Sequence, residues 1–237
     1  MSSLKRTARI AGWIYLLMAL PAPFALIYVP ATLVVRGDAQ ATASNVLGRE
    51  MLYRSGIVVG LASAVGFILL AVALHRLLSG VHRSLALLMV TLMAASATIA
   101  FLNEASALAA LTLFHGPDYL SVFDATQRDA LGLLFLGMRQ QGIFINEMLW
   151  GLWLFPFGAL VMRSGFIPKI LGILLLVNGG AYVVASLTAL LVPSTYNTVF
   201  LAAGPALLGE LWMMLWLLIK GVRQQPLVPV LAGGGEP

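Results

Sequence analysis

Apolar residues in this chain come in runs of about 20 or more, the length that crosses a bilayer as a helix. Short clusters of charge and turn residues separate them. Six spans fit this pattern: Ile10 to Pro30, Leu52 to Leu78, Ser84 to about Ala107, Arg139 to Met162, Ile170 to Val192 and Phe200 to Lys220. The turns Ser79-Gly80-Val81-His82-Arg83 and Arg163-Ser164-Gly165-Phe166-Ile167-Pro168-Lys169 are short, which makes the spans they join antiparallel neighbours. The fold class expected is all-α: a polytopic helical membrane bundle of six transmembrane helices. One domain fills residues 1–225, and Pro226 to Pro237, ending in Gly-Gly-Gly-Glu-Pro, reads as a disordered tail.

The two longer connections should each carry a helix of their own, lying at the outer interface before spans two and four. Asp38 can cap the first, running to about Leu47. Asp124-Ala125-Thr126-Gln127 has the form of a capping box for the second, with Asp as the cap. One straight helix from Ala125 to Met162 would be ~57 Å long at ~1.5 Å per residue. That exceeds a hydrocarbon core of ~30 Å. Ala125 to Gly137 is therefore expected along the interface or projecting from it.

Composition agrees with the pattern. The 237 residues are 60% hydrophobic and only 10% charged, where a soluble domain is nearer a quarter charged. The net charge of +5 comes from basic residues at helix ends. No basic stripe with interleaved aromatics accompanies it, so a nucleic-acid partner is not expected. Cysteine is absent, which removes disulfides, thiolate metal sites and cysteine nucleophiles. Lys5, Arg6 and Arg9 precede an apolar run that continues past Leu20-Pro21-Ala22-Pro23 to Val35 with no Ala-x-Ala site, so it reads as a retained first span.

The distribution of basic residues sets the expected orientation. Nine of them (Lys5, Arg6, Arg9, Arg76, Arg83, Arg163, Lys169, Lys220, Arg223) fall on one side, and five (Arg36, Arg49, Arg54, Arg128, Arg139) fall on or near the other. Both termini are expected in the cytoplasm.

Polar residues inside the spans are the candidate functional groups, because a carboxylate at that depth is costly. Counted from the cytoplasmic ends at ~1.5 Å per residue, Glu147, Asn103, Glu104, Arg54 and Arg139 reach similar heights in the outer quarter of the membrane. Glu210 and Asn178 share a second level near the midplane. The functional reading is an outward-facing polar cavity. Glu147 and Glu104 supply carboxylates, Arg54 and Arg139 counter-charges, and Asn146, Asn103 and Gln140 hydrogen-bonding groups. Gln140 and Glu147 are seven apart and share a helix face, which Trp150, Gly151 and Leu154 continue. Arg54 is the expected partner of Glu147. The alternative is that these groups are glue, buried Arg–Glu and Asn–Glu pairs holding spans together. Gly151, Gly158, Met213 and Met214 read as packing, and Pro21, Pro23, Pro156 and Pro205 as kinks.

Catalytic signatures are missing: no Walker loop, Gly-x-Gly-x-x-Gly, Gly-x-Ser-x-Gly or His-Glu-x-x-His. A metal site joining His115 to Glu104 and Glu147 is a minor alternative, and no cofactor or metal is expected. Arg9-Ile10-Ala11-Gly12 and Lys169-Ile170-Leu171-Gly172 open two spans alike, and Arg54-Ser55-Gly56-Ile57 echoes Arg139-Gln140-Gln141-Gly142-Ile143; a tandem repeat of three hairpins stays open.

Five stretches, in order, resemble the bacterial multi-pass membrane family catalogued as domain of unknown function 4386. They are Arg9-Ile10-Ala11-Gly12; Tyr28-Val29-Pro30 with Gly37-Asp38; Gly151-Leu152-Trp153-Leu154-Phe155-Pro156; Arg163-Ser164-Gly165-Phe166-Ile167-Pro168; and Gly209-Glu210 followed by Trp216-Leu217-Leu218-Ile219-Lys220-Gly221. The resemblance implies an integral membrane protein of the bacterial cytoplasmic membrane and no particular activity. The leading expectation is a non-enzymatic protein that binds or passes a small or lipophilic ligand, with the lipid bilayer as its surroundings. The alternatives are a structural or regulatory membrane protein and an intramembrane enzyme using Glu147. The oligomeric state is not legible.

Overall fold

The computed structural model describes residues 3–222. The tail expected from Pro226 onward, and Arg223, lie outside them. Every regular element among the described residues is helical. Helix α1 covers Ser3–Ala19, a π turn covers Phe24–Tyr28, and α2 covers Val29–Leu33. Helix α3 is Ala39–Gly48, α4 Glu50–Leu78, α5 Arg83–His115, α6 Ala125–Ser164, α7 Lys169–Leu191 and α8 Tyr196–Ile219. Six stretches are long and apolar enough to cross a membrane, beginning with Leu4–Leu33 and ending with Pro193–Ile219.

Local chemistry accounts for the boundaries. The Asp38 carboxylate accepts from the Ala41 amide at 2.8 Å and starts α3 where expected. Asp124 accepts from the Gln127 amide at 2.8 Å, and the Gln127 side chain accepts from the Asp124 amide at 3.0 Å. That reciprocal box starts α6. From there the helix runs 40 residues without a break, through Pro156. The prolines at 21 and 23 do more: α1 ends at Ala19, and the chain re-enters helix only through the π turn. Proline lacks the amide that would continue the ladder. Gly116, with φ of 59°, closes α5, so the third span continues well past Ala107.

The six spans pack as a ring in chain order, closed by α8 against α1. At one end all six converge on a dense core that includes Tyr15, Phe67, Leu74, Met89, Trp153, Phe157, Leu175 and Met213. Trp153 anchors it, edge-on to Phe67 and stacked on Phe157. At the other end a smaller core joins α2, α3, α4 and α5 through Leu33, Val46, Tyr53, Ala107 and Phe114. The Tyr53 hydroxyl donates to the Ala107 carbonyl there at 2.8 Å.

Helices α6 and α7 come unusually close, and the glycines explain it. A Cβ on Gly151 would lie 2.5 Å from the Gly179 carbonyl oxygen, and one on Gly158 2.7 Å from that of Gly172. One heptad further along, Ser186 donates to the Phe144 carbonyl at 2.7 Å. Seven residues on α6 are thus matched by seven on α7, an antiparallel register held over four turns. Small residues that let backbones approach are the usual means of helix association in lipid.

Candidate functional site

The buried charged groups lie in two centres among the described residues. The first lies between α5 and α6. Arg139 Nη2 donates to Glu104 Oε1 at 3.0 Å, and both side chains are almost wholly enclosed. Helix α4 presses on the pair from behind: a Cβ on Gly60 would sit 2.3 Å from Glu104 Oε1. Asn103 packs its amide over Gly142, one turn along α6 from Arg139. The small residues at 60 and 142 make the room these polar side chains occupy.

The second centre is built by α1, α6, α7 and α8. The Tyr196 hydroxyl donates to Glu147 Oε1 at 2.7 Å. Glu147 is 3% exposed, and its Oε2 is buried with no protein partner. Asn146, 2% exposed, likewise has a buried, unpartnered Oδ1. Phe144 packs on Tyr196 at 4.7 Å between ring centres, and Phe200 meets the same ring at 5.6 Å. Further into the bundle, Glu210 accepts hydrogen bonds from the Tyr15 hydroxyl and, at 3.3 Å, from Asn178 Nδ2. Asn178 is fully buried and also donates to the Leu207 carbonyl at 3.4 Å. Its Oδ1 has no partner.

Tyr182 lies beside this second centre on α7. It lies four residues beyond Asn178 and so shares its face of α7. Its ring meets Trp150 edge-on at 5.8 Å, and Trp150 is three residues from Glu147 on α6. The α6–α7 register puts Glu147 level with Val183, beside Tyr182.

Several expectations are corrected. Arg54 does not meet Glu147: its Nε donates to Glu50 at 2.5 Å on the exposed end of α4, where His115 Nε2 also lies 3.1 Å from Glu50. The reason is angular. Tyr53 faces inward to bond Ala107, and the next residue points ~100° away. Gln140 is exposed and does not share a site with Glu147. The cavity expected to gather Glu147, Glu104, Arg54, Arg139, Gln140 and Asn103 is divided instead, because Glu104 and Arg139 pair with each other between α5 and α6. His115, Glu104 and Glu147 each have a different partner and form no cluster. Two apolar clefts that open on the surface among the described residues lie elsewhere. One, of about 280 Å³, lies between α1 and α4 beside Met18, Pro21 and Ser63, and one of about 490 Å³ lies along α6 at Met138 and Gln141.

The tyrosines were the residues missed. Tyr15 and Tyr182 sit inside apolar spans, where a phenol hydroxyl needs a partner, and the four-residue spacing of Asn178 and Tyr182 was a readable sign of a shared polar face.

Six apolar membrane-length helices closed around buried polar centres define a multi-pass helical membrane protein. The chain belongs to the family described as Domain of unknown function (DUF4386), whose model matches residues 10–221. No curated protein and no solved structure matches it.

Proposed function

We propose that this protein binds or passes a small, lipophilic ligand at Glu147, reached from the end of the bundle where the α7–α8 turn lies. The observation that carries the reading is the pair of buried acceptors without a donor, Glu147 Oε2 and Asn146 Oδ1. A buried acceptor left unpaired is costly, so a ligand offering an amine or hydroxyl gains by meeting it. Aromatic side chains gather near Glu147: the rings of Phe144 and Phe200 meet that of Tyr196, its hydrogen-bond donor, and Trp150 lies one turn along α6 from it. Apolar walls with a few convergent polar groups suit small lipophilic molecules. The setting we infer is a bacterial cytoplasmic membrane with both termini inside, from the excess of Lys and Arg at one end of the spans.

Native mass spectrometry of the protein purified from its membrane tests this. The expected result is a bound small molecule or lipid in the wild type that is depleted in Glu147→Gln. Identical spectra for the two proteins would overturn the reading. A purely structural role for the polar groups is favoured at one place, Glu104–Arg139, where each charge already has its partner.

A further inference from the structure

We propose that the outer seam between α1 and α4 binds a single phospholipid with an anionic headgroup, at a site separate from Glu147. The headgroup lies at Arg6 and Arg76, and an acyl chain lies in the cleft beside Ser63.

The cleft is the first observation. It is apolar, about 280 Å³ in volume, and opens on the flank of two membrane-length helices. Two features of the sequence make it. Helix α1 ends at Ala19, and Pro21 diverts the chain until the π turn. On α4 the lining residues Ala62, Ser63 and Gly66 are small. Where the helices do meet, the Ser63 hydroxyl donates to the Met18 carbonyl at 3.4 Å. A Cβ on Gly66 would lie 3.2 Å from that of Met18.

The second is an exposed strip on each helix, leading from the cleft to an arginine. Leu17 lines the cleft. Trp13, Ile10 and Arg6 precede it at helical spacing, so all four share one face of α1. All four are exposed. On α4, Leu69 lines the cleft, and Arg76 lies two turns further on the same face. Both are exposed, as is Val72 between them.

The third is that the two strips end together. The contacts of Met18 with Ser63 and Gly66 fix the antiparallel register. Arg6 lies twelve residues before Met18 and Arg76 ten after Gly66, ~18 Å and ~15 Å along their helices. The two residues therefore stand at nearly the same level of adjacent helices. Ala8 and Leu77, close to them in sequence, belong to one core.

Charge selects the lipid. Among the described residues, the acids outside the buried centres are Asp38, Glu50, Asp118, Asp124 and Asp129, and all belong to the opposite end. A guanidinium pairs with phosphate through two parallel hydrogen bonds, and basic residues at the membrane surface attract anionic lipid. The arginine stems can lie along the apolar strips while their heads stay at the surface.

Trp13 lies on the α1 strip between Arg6 and the cleft, so its fluorescence reads the occupant. The full chain is reconstituted in mixed vesicles of phosphatidylcholine and phosphatidylglycerol, with one or the other brominated on its acyl chains. The Trp13 signal is the quenching lost in Trp13→Phe. At equal mole fraction, brominated phosphatidylglycerol should quench Trp13 severalfold more effectively than brominated phosphatidylcholine. The preference should vanish when Arg6→Ala and Arg76→Ala are combined, and Ala62→Phe, which fills the cleft, should weaken quenching by both lipids. Arg163→Ala combined with Lys169→Ala removes two charges on the α6–α7 turn and should leave the preference intact. Equal loss in the two double variants would assign the preference to the general charge of that end and overturn the site. Equal quenching by the two lipids in the wild type would do the same, since any acyl chain would then fill the groove. Glu147→Gln should not alter the preference, and a loss there would merge the two sites and end the inference. Both arginines are exposed, so their variants carry the test if Ala62→Phe fails to fold.

Discussion

Glu104 and Glu147 are both glutamates enclosed in the same bundle, on adjacent spans, yet their settings are opposite. Glu104 faces a guanidinium across the α5–α6 contact, and Gly60 of α4 gives its carboxyl the room it occupies. Glu147 accepts from the Tyr196 hydroxyl on α8, and Glu210 from the Tyr15 hydroxyl on α1 and the Asn178 amide on α7. Glu104 and Glu147 each keep one buried oxygen without a partner, so the difference lies in the donor, a guanidinium or a phenol. A buried ion pair is a poor source of net stability, but breaking it is expensive because a lone charge stays behind. A carboxyl among phenols is cheaper to alter, since it can be neutral to begin with. One bundle thus contains a lock and a changeable site, built from the same residue type and separated by which neighbour each was given.

The sharpest way to break this contrast is to remove half of the lock. Glu104→Ala leaves Arg139 buried and unpaired, and is expected to cost on the order of ~3–5 kcal/mol in unfolding from mixed micelles. Replacing Glu104 and Arg139 together with Leu should cost less than the two single changes added. If Glu147→Gln proves as costly as Glu104→Ala, the two centres do not differ in the way described.

A smaller loss is expected where the frame of the changeable site is forced apart. Gly151→Val or Gly158→Val drives a side chain into the facing carbonyl oxygen, and overpacking of this kind costs about 1–3 kcal/mol. Gly180 on the same helix has open space around it. Gly180→Ala should therefore keep or slightly raise the melting temperature, and a loss there would show that crowding is not the cause.

Single hydrogen bonds at the second centre should matter less again. Tyr196→Phe or Tyr15→Phe removes one hydroxyl from a carboxyl and is expected to cost about 1 kcal/mol, measured by the same unfolding assay. The smallest effect belongs to Arg54→Ala, whose charged partner among the described residues is Glu50 on an exposed helix end. No measurable change in stability is expected. A large one would restore the Arg54–Glu147 pair that the structure replaces.

The sequence determined by itself what depends on one dimension. Run length and composition mark the six spans, and Asp38 and Asp124 with Gln127 mark two helix starts through bonds that reach only three residues. The depth of Glu147, Glu104 and Arg139 follows from counting at a fixed rise. Rotation about each axis and the identity of the neighbour were decided only in three dimensions. Arg54 and Arg139 stand at similar heights, but Arg54 turns outward because Tyr53 turns in. Gln140 and Glu147 share a face of α6 by spacing, yet one is exposed and the other buried. The α6–α7 register puts Gln140 level with Leu190, in the last turn of α7, so the helix that covers Glu147 has nearly ended there. Tyr196 reaches Glu147 because the α7–α8 turn folds back over that level. The ring closes only when Gly12 of α1 lets the backbone of α8 approach at Leu218. Such pairings depend on all six helix orientations at once, and no local run of residues encodes them.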